Sequence, residues 1–204
     1  MSSGAICCSL FSEAMNVRGV LLGSVNLAPS GAPSFSIKNR IMRVIWGVVW
    51  LVLARWTPKS FRRLRIGLLR CFGAEIGAKC DVRGSVRVWY PPNLTMENRT
   101  ILAEGVNCYN MAHITIREQT IVSQGAFLCG GTHDFADRTY PLITKPIEIG
   151  PFAWVAAEAF VGPGCRVSEG CVVGARAVVF GELTPWSVYA GNPATRVKSR
   201  SFQN

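Results

Sequence analysis

Ile149–Phe180, IGPFAWVAAEAFVGPGCRVSEGCVVGARAVVF, decides the fold. Read in sixes, an aliphatic residue opens every unit: Ile149, Val155, Val161, Val167, Val173 and Val179. The fifth place of each complete unit is small: Ala153, Ala159, Cys165, Cys171 and Ala177. A strand repeats every two residues and an amphipathic helix every 3.6, so neither gives a strict six. A six-residue period is one short strand plus one turn of a parallel β-helix. The opener points into the prism, and the small fifth residue fits where the chain bends.

The frame extends backwards. Ile76, Val82 and Val88 open three sixes, then Met96, Leu102 and Cys108, then Ile116, Val122 and Leu128. With the five complete units from Ile149 this makes fourteen hexads, each with an apolar opener and a modest fifth residue. Two-residue insertions, Leu94-Thr95 and Ile114-Thr115, separate the triplets, so the coils are three-sided and about five are stacked. A longer excursion, Asp134–Glu148, breaks the frame. Leu183 is too large for a corner and Pro185 stops the strand pattern. The β-helix is therefore expected over 75–184, and the tail, 185–204, is expected to leave it.

The chain has 204 residues, 49% of them hydrophobic, enough for one domain plus an extension. Its net charge of +10 is local: nine Lys and Arg and no acid lie between Ser34 and Ala74. Such a block suits an anionic membrane surface, and no nucleic-acid module accompanies it. Cys80, Cys165 and Cys171 take corner places and Cys108 opens a hexad, so the thiols read as small buried hydrophobes in a reducing, cytoplasmic compartment. No Cys-x-x-Cys spacing points to a metal.

Residues 1–33, rich in Ser, Gly, Ala and Pro, lack the pattern of a signal peptide and are expected to be disordered. Translation starting at Met15 is an alternative. Residues 34–74 form a basic, Trp-rich helical extension. Within it Ile41–Trp56 has an apolar core of 11 residues, Val44–Ala54, where a spanning helix needs about 20. Two readings stand side by side. The helix covers the open edge of the β-helix, or it lies in a membrane interface with Trp46, Trp50, Trp56 and its arginines. Pro58–Phe72 is expected to form a second helix, with Leu64, Leu68, Leu69 and Phe72 on one side.

Two histidines carry the chemistry available. His133 closes the hexad LCGGTH beside the excursion; His113 closes CYNMAH. A neutral imidazole is the usual general base near neutral pH, and the bland reading of both is a solvated corner.

QGAFLCGGTHD (124–134), LITKPIEI (142–149), Trp154 and PWSVYAGNPA (185–194) resemble the hexapeptide-repeat O-acetyltransferases, most of all the colanic-acid and exopolysaccharide branch. That resemblance covers about residues 35–200. It implies an all-β left-handed parallel β-helix of hexapeptide repeats with an N-terminal helical extension. It implies a homotrimer with sites between subunits, acetyl-CoA as donor and a sugar hydroxyl, free or lipid-linked, as acceptor. The family's catalytic histidine falls on His133, in GTHD. Trp154 matches a tryptophan beside the pantetheine or acceptor. Ala157, Ala159, Gly174, Ala175 and Ala177 allow the pantetheine arm to approach, and Arg196 and Lys198 suit the CoA phosphates. Asn110 and Asp134 are the acceptor-binding candidates. No metal and no permanently bound cofactor is implied. Many relatives carry Thr-Lys where this chain has Phe180-Gly181, and often Pro at the place of His113. The enzyme would work in the cytoplasm, with peripheral contact at the inner membrane face through residues 35–72. Two other readings stay open: a non-catalytic hexapeptide-repeat scaffold, and an acetyltransferase for an amino sugar or a drug. The zinc carbonic anhydrases share the prism but need three histidine ligands.

Overall fold

A computed structural model describes residues 35–202; the disorder expected for 1–33 lies outside them. Two helices, α1 (Ile37–Leu53) and α2 (Arg62–Cys71), precede a stack of short strands. Coil one is β1 (Glu75–Ile76), β2 (Asp81–Val82) and β3 (Arg87–Val88); coil two is β4 (Leu94–Met96), β5 (Ile101–Leu102) and β6 (Asn107–Tyr109). Coil three is β7 (Ile114–Ile116), β8 (Ile121–Val122) and β9 (Phe127–Cys129). A hairpin of β10 (Gly131–His133) and β11 (Leu142–Thr144) follows. Coil four is β12 (Ile147–Ile149), β13 (Trp154–Val155) and β14 (Phe160–Val161); coil five is β15 (Arg166–Val167), β16 (Val172–Val173) and β17 (Val178–Val179). Then come β18 (Glu182–Leu183), β19 (Ser187–Gly191) and β20 (Ala194–Ser199).

The strands make three parallel faces: a first from β1 to β18, a second from β2 to β19, and a third from β3 to β17. Openers stack in register inside: Val82, Leu102, Val122, Val155 and Val173 line the second face, all fully buried. Each such side chain contributes about 1.5–3 kcal/mol by leaving water. The fourth residue of most hexads turns the corner in the left-handed backbone region, as at Lys79 (φ 59°), Arg99 (φ 59°) and Gln119 (φ 56°). The small fifth residue then tucks inward, as Ala126, Ala159 and Ala177 do at 0% exposure.

Three boundaries differ from the hexad frame. The insertions Leu94-Thr95 and Ile114-Thr115 are not loops: Leu94, Ile114 and Ile147 stack as a second buried rung of the first face. The excursion therefore ends at 146, because Ile147 and Glu148 already pair with coil three. Leu183 is not a corner residue either. It points inward on the first face beside Val167, four residues after Val179, so the corner before it is two residues short. Counting restarts there, Tyr189 opens the next six, and β19 pairs with β16. The prism thus builds a sixth coil on two faces instead of stopping at 184, and β20 folds back antiparallel on β19.

The second helix is shorter than Pro58–Phe72: a 3-10 turn, Lys59–Phe61, precedes α2. Its buried residues are Arg65, Ile66 and Leu69, while Leu64 is exposed.

Within the stack, each opener's carbonyl accepts an N–H from the coil before it: Gly77 N–H to Met96 O (2.7 Å), Arg83 N–H to Leu102 O (3.1 Å), Trp89 N–H to Cys108 O (3.0 Å). Coil one has no coil before it. Its three opener carbonyls are met by side chains of the helices instead. Arg70 Nη2 donates to Ile76 O (2.6 Å), Arg65 Nε to Val82 O (2.6 Å) and Trp46 Nε1 to Val88 O (2.8 Å). Trp50 Nε1 adds a bond to Gly84 O (3.1 Å). The helices lie across the open end and supply the donors a further coil would have supplied, which answers the edge problem. Gly84 lets them come close: a Cβ there would sit 2.7 Å from Arg55 O.

Six cysteines fall among the described residues, none of them in a disulfide. Cys80, Cys108, Cys165 and Cys171 are buried as expected, whereas Cys129 is half-buried and Cys71 is exposed at the end of α2.

Candidate active site

The hairpin leaves the prism where the third face turns into the first, between coils three and four. Its root is tight: a Cβ on Gly130 would lie 3.0 Å from Tyr109 O, and one on Gly131 would push on the thioether of Met111, 2.5 Å away. The pairs Gly131 with Thr144, Thr132 with Ile143 and His133 with Leu142 hold it as a two-stranded antiparallel arm. Asp137 then shapes the tip. Its Oδ1 accepts from Thr139 N–H and Thr139 Oγ1, both at 2.8 Å, which holds its carboxyl below the usual range. Tyr140 N–H bonds back to Asp137 O (3.0 Å).

This tip returns the Tyr140 carbonyl to His133, 2.6 Å from Nδ1. A carbonyl oxygen only accepts, so Nδ1 carries the proton. In the neutral ring Nε2 is then a free lone pair. The imidazole is exposed and can meet a substrate. His113 is arranged the other way. Thr95 Oγ1 donates to Glu75 Oε2 (3.1 Å), so the contact of 2.9 Å between Thr95 Oγ1 and His113 Nε2 is a donation from His113. Its Nε2 is occupied. The structure separates two histidines that occupy the same hexad place in the sequence.

The other expected residues divide. Trp154 stands out from the second face, 45% exposed, its Nε1 donating to Ser123 Oγ (2.9 Å). Ala157, Gly174 and Ala175 lie at the turn from the second face to the third and reach the surface. Ala159 and Ala177 do not. They are the inward fifth residues of that corner, so their methyls face the core and cannot touch a cofactor. Arg196 and Lys198 are exposed on β20. Arg196 is steadied by Ser187 Oγ (2.8 Å) and Ser199 Oγ (2.7 Å).

Asn110 is withdrawn from the acceptor site. It is fully buried, accepting from Tyr90 N–H (3.0 Å) and donating to Tyr90 O (2.7 Å), a staple across one corner. Asp134 sits beside His133 but spends Oδ1 on Ala136 N–H (2.9 Å). Its second oxygen makes no hydrogen bond among the described residues and can accept one from an acceptor hydroxyl.

One chain does not gather the set. His133 projects from the corner between the third and first faces, while Trp154 and β20 belong to the second face, the face opposite that corner. Sequence reasoning also missed the Tyr140 carbonyl, whose role depends on a turn and not on residue type. Among the described residues no cluster of His, Cys, Asp and Glu could hold a metal ion.

No protein-family model matches the chain. A protein of Escherichia coli (strain K12) that bears the name "Putative colanic acid biosynthesis acetyltransferase WcaF" is 38% identical over 162 residues, covering 79% of this chain and 89% of WcaF. Among solved structures, a maltose O-acetyltransferase from Clostridium difficile 630 superposes with a TM-score of 0.75 at 19% identity, covering 82% of this chain and 90% of its own. A hexapeptide-repeat acetyltransferase from Vibrio cholerae O1 biovar eltor, solved with acetyl coenzyme A, does so with a TM-score of 0.73 at 19% identity, covering 82% and 91%.

Proposed function

This chain belongs to the hexapeptide-repeat acetyltransferases, in the family of WcaF and on a left-handed β-helix, and from that membership we propose that it moves an acetyl group from acetyl coenzyme A to a sugar hydroxyl of an exopolysaccharide precursor. The observation that carries the proposal is the Nδ1–H of His133 on the Tyr140 carbonyl, which leaves Nε2 as a base.

A sugar hydroxyl is a weak nucleophile while protonated. His133 Nε2 takes its proton as the oxygen attacks the thioester carbonyl, and the Tyr140 carbonyl steadies the imidazolium that forms. The oxyanion needs a donor, a backbone N–H or side-chain amide. Collapse breaks the C–S bond, and the imidazolium returns its proton to the leaving thiolate. The products are the sugar ester and free coenzyme A, with no covalent enzyme intermediate.

The surface-reaching small residues Ala157, Gly174 and Ala175 suit the pantetheine arm, Trp154 its flank, and Arg196 and Lys198 its phosphates. Because Trp154, Arg196 and Lys198 stand on the face opposite the His133 corner, the reading includes a homotrimer. One subunit offers its hairpin and the next offers its second face. The reading also includes peripheral contact of residues 35–72 with a membrane, which would set the enzyme beside a lipid-linked acceptor.

The test is acceptor-dependent thiol release from acetyl coenzyme A, wild type beside His133→Ala, over a panel of sugars. Loss of the base should lower the rate about 10²–10⁴-fold. Equal rates would place the base elsewhere. No release with any sugar, together with no binding of the donor, would sink the proposal and favour a scaffold.

A further inference from the structure

Helix α1 carries two apolar stripes on opposite sides. Trp46 and Trp50 form one and are spent on the prism edge. Ile37, Ile41, Val44, Ile45, Val48 and Val52 form the other, each about half exposed or more, from 49% at Ile45 to 71% at Ile37. At about 100° per residue the second stripe spans an arc of roughly 80°–120°, centred on the side away from the two tryptophans. Trp56 (78% exposed) and Phe61 (50% exposed) are further exposed aromatic side chains in the segment after the helix.

The rim is basic. On the helical wheel Lys38 borders the stripe on one side and Arg40 on the other, both exposed, and Arg55 stands at its end. Lys59, Arg62 and Arg63 add exposed charge beyond it. Arg43, Arg65 and Arg70 are otherwise engaged, Arg43 over the Trp89 ring at 4.2 Å and the other two on the prism edge.

We propose that this outward stripe of α1 docks flat on a membrane surface rich in anionic lipid, its apolar side chains between the headgroups and Lys38, Arg40 and Arg55 on lipid phosphates. The proposal deepens the membrane contact read above by naming its surface and its lipid. Length favours lying over crossing. The helix has 17 residues, about 26 Å, and no helix among the described residues is long and apolar enough to cross a bilayer. Its inner side is also pinned to the prism. Charge favours lipid over a second copy. With no acid between Ser34 and Ala74, two copies meeting at this stripe would bring only like charges together. A bilayer of phosphatidylglycerol brings the opposite charge and an apolar interior at once.

The experiment is co-sedimentation of the full chain with vesicles of phosphatidylethanolamine and phosphatidylglycerol, and with vesicles of phosphatidylcholine. Wild type should bind the anionic vesicles, less so as salt rises, and bind the zwitterionic ones weakly. Val44→Glu with Val48→Glu should lower the partition coefficient at least about tenfold. Lys38→Gln with Arg40→Gln should lower it roughly thirtyfold. Circular dichroism and thiol release on a soluble acceptor should match wild type in both variants, since all four residues are exposed. A wild type that stays in the supernatant with both vesicles overturns the proposal. So does a Val44→Glu, Val48→Glu variant that binds like wild type, and so does a fall in its sedimentation mass, which would make the stripe a contact between copies. Vesicle binding is read without turnover, so its failure leaves the acetyltransferase standing, and the reverse.

Discussion

Arg65→Met should loosen the cap from the prism. Arg65 is fully buried, and its guanidinium donates to Val82 O (2.6 Å), Thr57 Oγ1 (2.7 Å), Pro58 O (2.8 Å) and Lys59 O (3.0 Å). Methionine fills much of the volume and offers no donor. A hydrogen bond to a charged donor contributes about 1.5–3 kcal/mol net, and bonds sharing one donor group are not additive. Against this, the variant removes a buried cation whose burial already holds its pKa below the usual arginine value. The expected loss is therefore about 3 kcal/mol and not the sum over bonds. For a chain of this size that is a melting shift of about 10 °C. Arg63→Met, on the exposed side of the same helix, should change stability by less than about 0.5 kcal/mol. Denaturant titration followed by tryptophan fluorescence reads the cap through Trp46 and Trp50; circular dichroism reads the prism. If Arg65→Met and Arg63→Met prove equal, the guanidinium is not replacing the N–H groups of a missing coil.

Leu128→Ala, in the fully buried stack, should cost about 2–5 kcal/mol in a chemical denaturation curve. Gly84→Ala should strip protection from the amides of α1 in hydrogen exchange while leaving coils three to five protected, because its Cβ would press on Arg55 O and Ala54 O. Burial pushes the Cys108 thiol up to about 12, and the Cys165 thiol likewise. In the unfolded chain a thiol ionises near 8.5, so above that value the unfolded state releases protons the native state keeps. Stability should fall as pH rises from about 9 towards 12, with both contributions fully present below that window. Cys108→Ala and Cys165→Ala should flatten that slope in urea midpoints taken across pH. Trp154→Phe keeps the ring surface and loses the bond to Ser123; KM for acetyl coenzyme A should rise about tenfold with kcat little changed, and the opposite pattern would move Trp154 away from the donor.

The repeat was legible because its two demands are strong and local. An inward opener must be apolar and an inward fifth residue must be small, so fourteen units announce three faces and a corner excursion. The ends of elements were not legible. Leu94, Ile114 and Ile147 look like insertions because a longer strand adds residues without adding a hexad, and Leu183 looks misplaced because the corner before it is short. The turning residue left a mixed signal: Gly105, Gly125, Gly164 and Gly170 take positive φ at the fourth place, but so do Lys79, Arg99 and Gln119. At the site, GTHD marked His133, yet nothing in residue type says which nitrogen is free. That follows from a carbonyl seven residues away. Small residues misled at Ala159 and Ala177, because smallness serves the core as well as the surface. Asn110 misled because an amide that closes a corner has the same composition as one that holds a sugar.

The cap lies across the end of the prism, and its spare stripe looks away along the axis. With that stripe on lipid the prism stands upright, and His133 keeps a set altitude. One helix thickness, about 10 Å, plus two coil steps of about 4.8 Å each, puts the imidazole about 20 Å above the headgroup plane. A saccharide growing from a lipid carrier presents its sugars at increasing heights from the same plane. On the membrane reading proposed above, that height would favour a sugar of one rank along such a chain, even where neighbouring sugars offer the same hydroxyl. Inserting or deleting one complete coil between the cap and the hairpin would move the acetylated rank without touching a residue that binds substrate.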